Sequence, residues 1–157
     1  MKRTDRNPAC PINVAVEAVG GDPWSLLVVR DVVFYGKHTF GEFLSSAERI
    51  TTSVLSDRLV ALVHNDILTK TTSEDDHRKE HYALTAKGLA LIPILVELAS
   101  WGVEYGPEAT ANEFWMNARH ADPLGLNALI RKTVEAGGAV WRGSDSVIEQ
   151  LQSTTSP

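Results

Sequence analysis

The sequence predicts a mainly α-helical chain with one small β-hairpin and a helical C-terminal extension. Three observations predict it: apolar residues recur at helical spacing in segment after segment, capping residues and glycines punctuate those segments, and two β-branched runs flank a single polar tip.

The elements follow in order. "PINVAVEAVGG" places apolar side chains at 12, 14, 16 and 19, with Pro11 at a first helical position and a glycine pair to stop a short opening helix. In "DPWSLLVVRDVVFYG", Asp22 is the cap, Pro23 follows it, and the dense apolar run to Gly36 marks a central core helix. "HTFGEFLSSAERI" offers Thr39 as a cap with Glu42 closing a capping box, and Phe40, Phe43, Leu44 and Ala47 at helical spacing. A turn at 48–50 leads to Thr51, which caps a helix with Val54, Leu55, Leu59, Leu62 and Val63 in one stripe; Thr52, Ser53, Ser56, Asp57 and Val60 lie opposite. Two short helices joined by a tight turn, the second with a polar outer face, form a helix-turn-helix.

"ILTKTTS" and "EHYALT" read as strands around the tip "EDDHRK", and a hairpin directly after a helix-turn-helix gives the order of a winged helix. Thr85 caps a long helix, "AKGLALIPILVELASWGVEYG", which Pro93 should kink. Its apolar residues are too many for one core-facing stripe. The second face is expected to meet the same helix of another subunit through Leu89, Ile92, Leu95, Val96, Ala99 and Val103, or else to be covered by the tail. Gly106 and Pro107 mark a boundary between a domain at 1–106 and an extension at 107–157, in which "EATANEFWMNARHA" and "PLGLNALIRKTVEAGG" look helical and "SDSVIEQLQ" weakly so.

Charge narrows the function. The net charge is -5; residues 1–90 carry 11 Lys and Arg against 12 Asp and Glu, and 91–157 carry 4 against 8. No basic stripe announces nucleic acid by charge, so that function rests on shape and local placement. The one cysteine, Cys10, excludes an internal disulfide and a multi-cysteine metal site. No apolar run is taken as long enough to span a bilayer, and the start lacks a signal-peptide centre, so no membrane partner and a cytoplasmic location are expected. The sequence holds no glycine-rich phosphate loop, matched nucleophile and base, or metal-ligand cluster; His77 and His81 would stand about 13 Å apart along a strand, too far for one ion. Neither an enzyme nor a cofactor is expected.

The strings "CP", a short helix and "GG", then "WSLLVVRD", "TFGEF", "ITTSVLSDRLVALVHNDIL" and "YALTAKG" resemble, in order and spacing, the HxlR family of winged-helix transcription regulators, over about residues 10 to 105. Departures are "GGDPW" where a basic residue usually precedes the tryptophan, "AERI" in place of "LPGI" in the turn, and Thr51 where serine is usual. The resemblance implies a dimer that binds duplex operator DNA, with the cysteine near the N-terminus, here Cys10, sensing oxidants or electrophiles in some members.

On this reading the second helix of the motif enters the major groove by its N-terminal end, with Thr51, Thr52, Ser53 and Ser56 offered to phosphates and base edges. Arg58 either reaches DNA or pairs with Asp57 or Glu42. Lys70, Arg78 and Lys79 of the hairpin are candidate backbone or minor-groove contacts, set against Glu74, Asp75 and Asp76 in what is otherwise a solvated loop. Cys10 is a sensor or an inert thiol. Phe114, Trp115 and Trp141 line an effector pocket with Trp24 or Trp101, or simply pack. Expected partners are therefore duplex DNA with half-sites about 34 Å apart, a second copy, and an oxidant or small-molecule effector. The competing readings are a winged-helix interaction module without DNA binding and a small-molecule binding protein.

Overall fold

A computed structural model describes residues 9–19, 21–72 and 80–155. The elements run α1 (Pro11–Ala18), α2 (Pro23–Tyr35), α3 (Phe40–Leu44), α4 (Thr52–His64), β1 (Leu68–Thr72), β2 (Glu80–Leu84), α5 (Ala86–Leu89), α6 (Ile92–Tyr105), α7 (Glu113–Ala121), α8 (Pro123–Glu135) and α9 (Val147–Thr155). The fold is mainly helical with one hairpin, as the sequence predicts. Packing divides the chain into two compact units, one of residues up to 29 plus 38–88, the other of 30–37 plus 89 onward, so the division does not fall at 106/107.

In the first unit, Asp22 caps α2 by accepting from the Trp24 and Ser25 amides at 2.8 and 3.3 Å. The capping box of α3 is closed: Glu42 Oε2 accepts from Thr39 N at 2.8 Å while Thr39 Oγ1 accepts from Glu42 N at 3.4 Å. Phe43, Leu55, Leu59 and Leu62 are buried between α3 and α4. Helix α4 ends without a glycine: Asp66 adopts φ 58°, and the amides of Asp66 and Ile67 reach back to Val63 O and Leu62 O. The antiparallel hairpin pairs Leu68 with Leu84 and Thr72 with Glu80.

The turn between α3 and α4 carries a cost. Arg49 has φ 56° at the position where the family pattern has glycine. A left-handed residue with a Cβ is disfavoured by about 1 kcal/mol. Arg49→Gly is therefore expected to raise stability by about 0.5 kcal/mol once the extra freedom of the unfolded glycine is deducted. A chemical-denaturation midpoint that falls would refute this.

In the second unit, Asn112 caps α7 through the Phe114 and Trp115 amides, which is why α7 begins at Glu113 and not at Glu108 as the pattern suggested. Asp122 caps α8 through the Gly125 amide, with Pro123 at N1. Trp115, Leu126, Ile130, Val140 and Val147 form the interior. The amides of Val140 and Trp141 bond to Val33 O and Phe34 O, so the 139–141 segment lies along the end of α2.

Pro93 does not kink one long helix. It ends α5 at Leu89, the residue whose carbonyl its ring would meet, and sits in the first turn of α6. The 20 residues 86–105, which include an 18-residue stretch of mean hydropathy 1.5, do reach the length and apolarity of a bilayer span, contrary to the sequence reading. Lys87, Glu97 and Glu104 interrupt that run, and Ile92, Leu95 and Val96 are buried on one side of it.

Candidate nucleic-acid interface

The first turn of α4 carries the candidate surface. Thr51 spends its hydroxyl on the helix, accepting from Val54 N at 3.4 Å, and stands 3.4 Å from Ser53 Oγ. Thr52, Ser53 and Ser56 are exposed, and the hydroxyls of Thr52 and Ser56 have no hydrogen-bond partner among the described residues. Leu55, Leu59 and Leu62 anchor the opposite face, so burial fixes which side of the helix looks outward. The face is not all polar: Val60 is 68% exposed on it. The sequence places Val60 on this outward face, and an apolar group there can meet a thymine methyl.

Arg58 is engaged elsewhere. Its Nε lies 2.7 Å from Asp22 Oδ2, so the acid is neither Asp57 nor Glu42. One carboxylate thus caps α2 with Oδ1 and holds α4 with Oδ2, which gives the "DP" departure from the family pattern a structural purpose. Lys70 pairs with Glu80, which also accepts from Tyr82 Oη at 2.8 Å; both bonds hold the Glu80 carboxyl below its usual range. Arg78 and Lys79, like His77 and the acids of the tip, lie outside the described residues. Arg49 was missed altogether: its guanidinium is exposed in the turn just ahead of α4.

The hairpin is tied to the helix-turn-helix by a histidine pair. His38 and His81 stack with ring centres 4.7 Å apart and 12° between planes, His38 Nδ1 bonds Tyr82 O, and Tyr82 N donates to His38 O at 2.7 Å. Desolvation, then the like charge of His38, hold the His81 imidazole below its usual value near 6.5, with Glu42 opposing. Because the unfolded chain takes up this proton at higher pH, the contribution of neutral His81 is complete above about pH 6.5 and is lost as pH falls below it. Glu42 acts in the next window down. Burial works to raise its pKa but is outweighed by bonds from the His38 and Thr39 amides and the Thr39 hydroxyl, so its stabilisation holds above 4.5 and is lost below. The urea midpoint should fall between about pH 7 and 5.5 in wild type, and His81→Phe, which keeps a ring but no proton, should flatten that step. An unchanged slope in the variant would remove His81 as its cause.

Comparison with known proteins agrees with this architecture. The HxlR-like helix-turn-helix model matches residues 19–110. This chain belongs to the HxlR-like family. An uncharacterized HTH-type transcriptional regulator, Rv3095 of Mycobacterium tuberculosis, is 33% identical over 113 residues, 69% of this chain and 70% of the relative. The HTH-type transcriptional regulator YodB of Bacillus subtilis is 27% identical over 99 residues, 63% of this chain and 88% of the relative. Among solved structures, the candidate transcription factor PA1607 superposes with a TM-score of 0.59 at 34% identity, over 68% of this chain and 73% of its own. The redox regulator HypR in its reduced form gives 0.54 at 26%, over 60% and 92%.

Other residues singled out for HxlR-type roles fall as follows. Cys10 is the N-cap of α1, partly exposed, with no side-chain capping bond. Leu89, Ile92, Leu95 and Val96 are buried within one chain, and Ala99 and Val103 are half-buried, so these residues face their own chain's interior. The outward apolar residues are Ile94, Leu98, Trp101 and Tyr105. Trp115 and Trp141 pack together at 6.2 Å in the interior of the second unit, where packing accounts for them, and Trp101 is 64% exposed.

Proposed function

We propose that this chain is a transcriptional regulator that inserts the N-terminal end of α4 into the major groove of operator DNA, as a homodimer that represses. The observation that carries the reading is the outward face of α4: unbonded hydroxyls of Thr52 and Ser56 at the positive end of a helix dipole, with Val60 a turn further along. Arg49 adds a phosphate contact ahead of the helix, and Arg78 and Lys79 supply further ones from the hairpin tip. Thr51 and Ser53 position the backbone, while Arg58 and Lys70 act through the ion pairs that hold their elements.

Pairing of subunits is supported by two exposed apolar surfaces, Ile12, Val14 and Val16 on α1 and Ile94, Leu98, Trp101 and Tyr105 on α6, which water-facing monomers seldom leave open. The first unit supplies DNA binding, the outward faces of α1 and α6 supply pairing, and the chain works in the cytoplasm without catalysis. Cys10 responds to oxidants or electrophiles, a reading supported by its partial exposure and by the likeness to a structure described as a redox regulator.

Selection of bound duplexes from a random pool, with Cys10 reduced and oxidised, supplies the operator. Affinity for it should fall steeply with salt. Ser56→Glu should weaken binding by at least about 100-fold through repulsion of phosphates. Arg49→Gly should cost about fivefold and lower the salt slope by about one while the protein grows more stable. A chain that ignores duplex DNA at about 50 mM salt is an interaction module and refutes the reading. Equal DNA responses of wild type and Cys10→Ser to diamide would refute the sensor alone.

A further inference from the structure

The second unit is acidic, with six basic against nine acidic side chains among its described residues, yet four of the six basic groups collect at one end of it. Arg30 Cζ, Lys37 Nζ and Arg142 Cζ lie 5.5, 5.7 and 5.9 Å from the centre of the Tyr35 ring. Lys132 lines the same cleft as Tyr35 and Arg142. Asp31, 2% exposed, holds Arg30 and Lys37. Elsewhere in the unit the cations are matched: Arg119 by Glu97 and Arg131 by Glu135. Lys132 and Arg142 have no carboxylate partner among the described residues.

Those two cations flank an open cleft of about 550 Å³, a size within the usual range for small-ligand sites. Glycines shape its wall: Gly36, Gly137 and Gly143 have φ 63°, 85° and 100°, and Gly138 has no room for a Cβ beside Thr133. The amides of Gly137 and Gly138 close the end of α8 by bonding Val134 O and Thr133 O, so they are not donors for a ligand. Side chains remain. Gln150 gives Nε2 to Thr133 Oγ1 and Asp145 O at 3.1 and 2.8 Å, which leaves its Oε1 to accept a hydroxyl, and Ser144 adds a hydroxyl of its own.

We infer that this cleft binds a small hydroxylated oxyanion, a phosphate or carboxylate held by Lys132 and Arg142 with a hydroxyl received by Gln150. The cleft lies wholly in the second unit and mostly beyond the family match at 19–110, so the inference does not rest on DNA binding. A phosphodiester backbone would satisfy the cations equally, but it makes no use of a concave, glycine-walled site. Asp145 also lines the cleft, and its charge opposes an anion there.

The test is amide NMR of the full chain titrated with inorganic phosphate, glycerol 3-phosphate and glycerate, with glycerol as control. Saturable shifts at Gly137, Gly138, Gly143 and Ser144 are expected, tighter for glycerol 3-phosphate than for phosphate, and glycerate separates a carboxylate from a phosphate preference. Lys132→Ala and Arg142→Ala, both at exposed positions, should each weaken binding about fivefold, and Asp145→Asn should tighten it. Absence of saturation at about 10 mM, where a millimolar site is nearly full, overturns the proposal. So does binding that is equal in all variants, or duplex DNA shifting these amides when the small anions do not.

Discussion

Trp115→Ala is expected to lower the stability of the second unit by about 3–5 kcal/mol, the usual loss when a large core aromatic is truncated. Trp115 is 1% exposed on α7, meets the Trp141 ring at a tilt of 55°, and sits where α7 packs on α8 and α9. Its removal leaves a cavity among elements held by capping residues that cannot slide to fill it. The indole N–H has no partner among the described residues, a cost the folded state already carries. Trp115→Phe should therefore lose much less than its reduced volume suggests, because it also discards an unsatisfied donor. Urea unfolding followed by far-ultraviolet circular dichroism on the three proteins decides it. A phenylalanine variant as weak as the alanine one would show that the N–H is satisfied in solution.

How much of this was legible in the sequence depends on the range of the interaction. The caps were legible because each is a contact over two to four residues: Asp22, Thr39 with Glu42, Thr51 and Thr85 all act as their neighbours imply. The hairpin was legible for the same reason, as was the outward face of α4, whose leucine stripe leaves the hydroxyls only one side. Arg58 was not, because its partner Asp22 lies far back in the chain and no local pattern separates an acid used once from one used twice. The outward face of α6 was not legible either, because a helix apolar nearly all round carries no contrast from which to read a direction. The strained Arg49 could have been found: the family pattern puts glycine there, and a glycine position that any other residue fills signals either a changed turn or a tolerated left-handed one. The cation cluster around Tyr35 brings together Arg30, Lys37 and Arg142, and only the fold makes the last a neighbour of the first two.

Gly88→Ala should be the most damaging small substitution in the first unit, costing about 2–3 kcal/mol. A Cβ at Gly88 would fall 2.2 Å from Ile67 O and 2.8 Å from Leu84 Cδ2. A leucine tip can rotate away; the carbonyl cannot, since it accepts from Thr85 N at 3.1 Å, and the Thr85 hydroxyl, which donates to Asp66 O at 2.6 Å, accepts from Gly88 N at 2.9 Å. The added methyl must therefore push α5 off the strand exit or break the cap that starts it. Helix propensity alone predicts the opposite sign, a gain approaching 1 kcal/mol for alanine over glycine, so the two effects are cleanly opposed. The same junction anchors Lys87 Nζ to Asn65 O at the end of α4, and Asn65 in turn reaches Ala18 O. The damage should thus reach the base of the hairpin and the end of α4 together. Hydrogen exchange is the measurement to make: Gly88→Ala should speed exchange of the Thr85 amide, which donates to Ile67 O, along with those of the last turn of α4. Acceleration confined to α5, or a more stable protein, would show that the close approach to Ile67 is relaxed in solution.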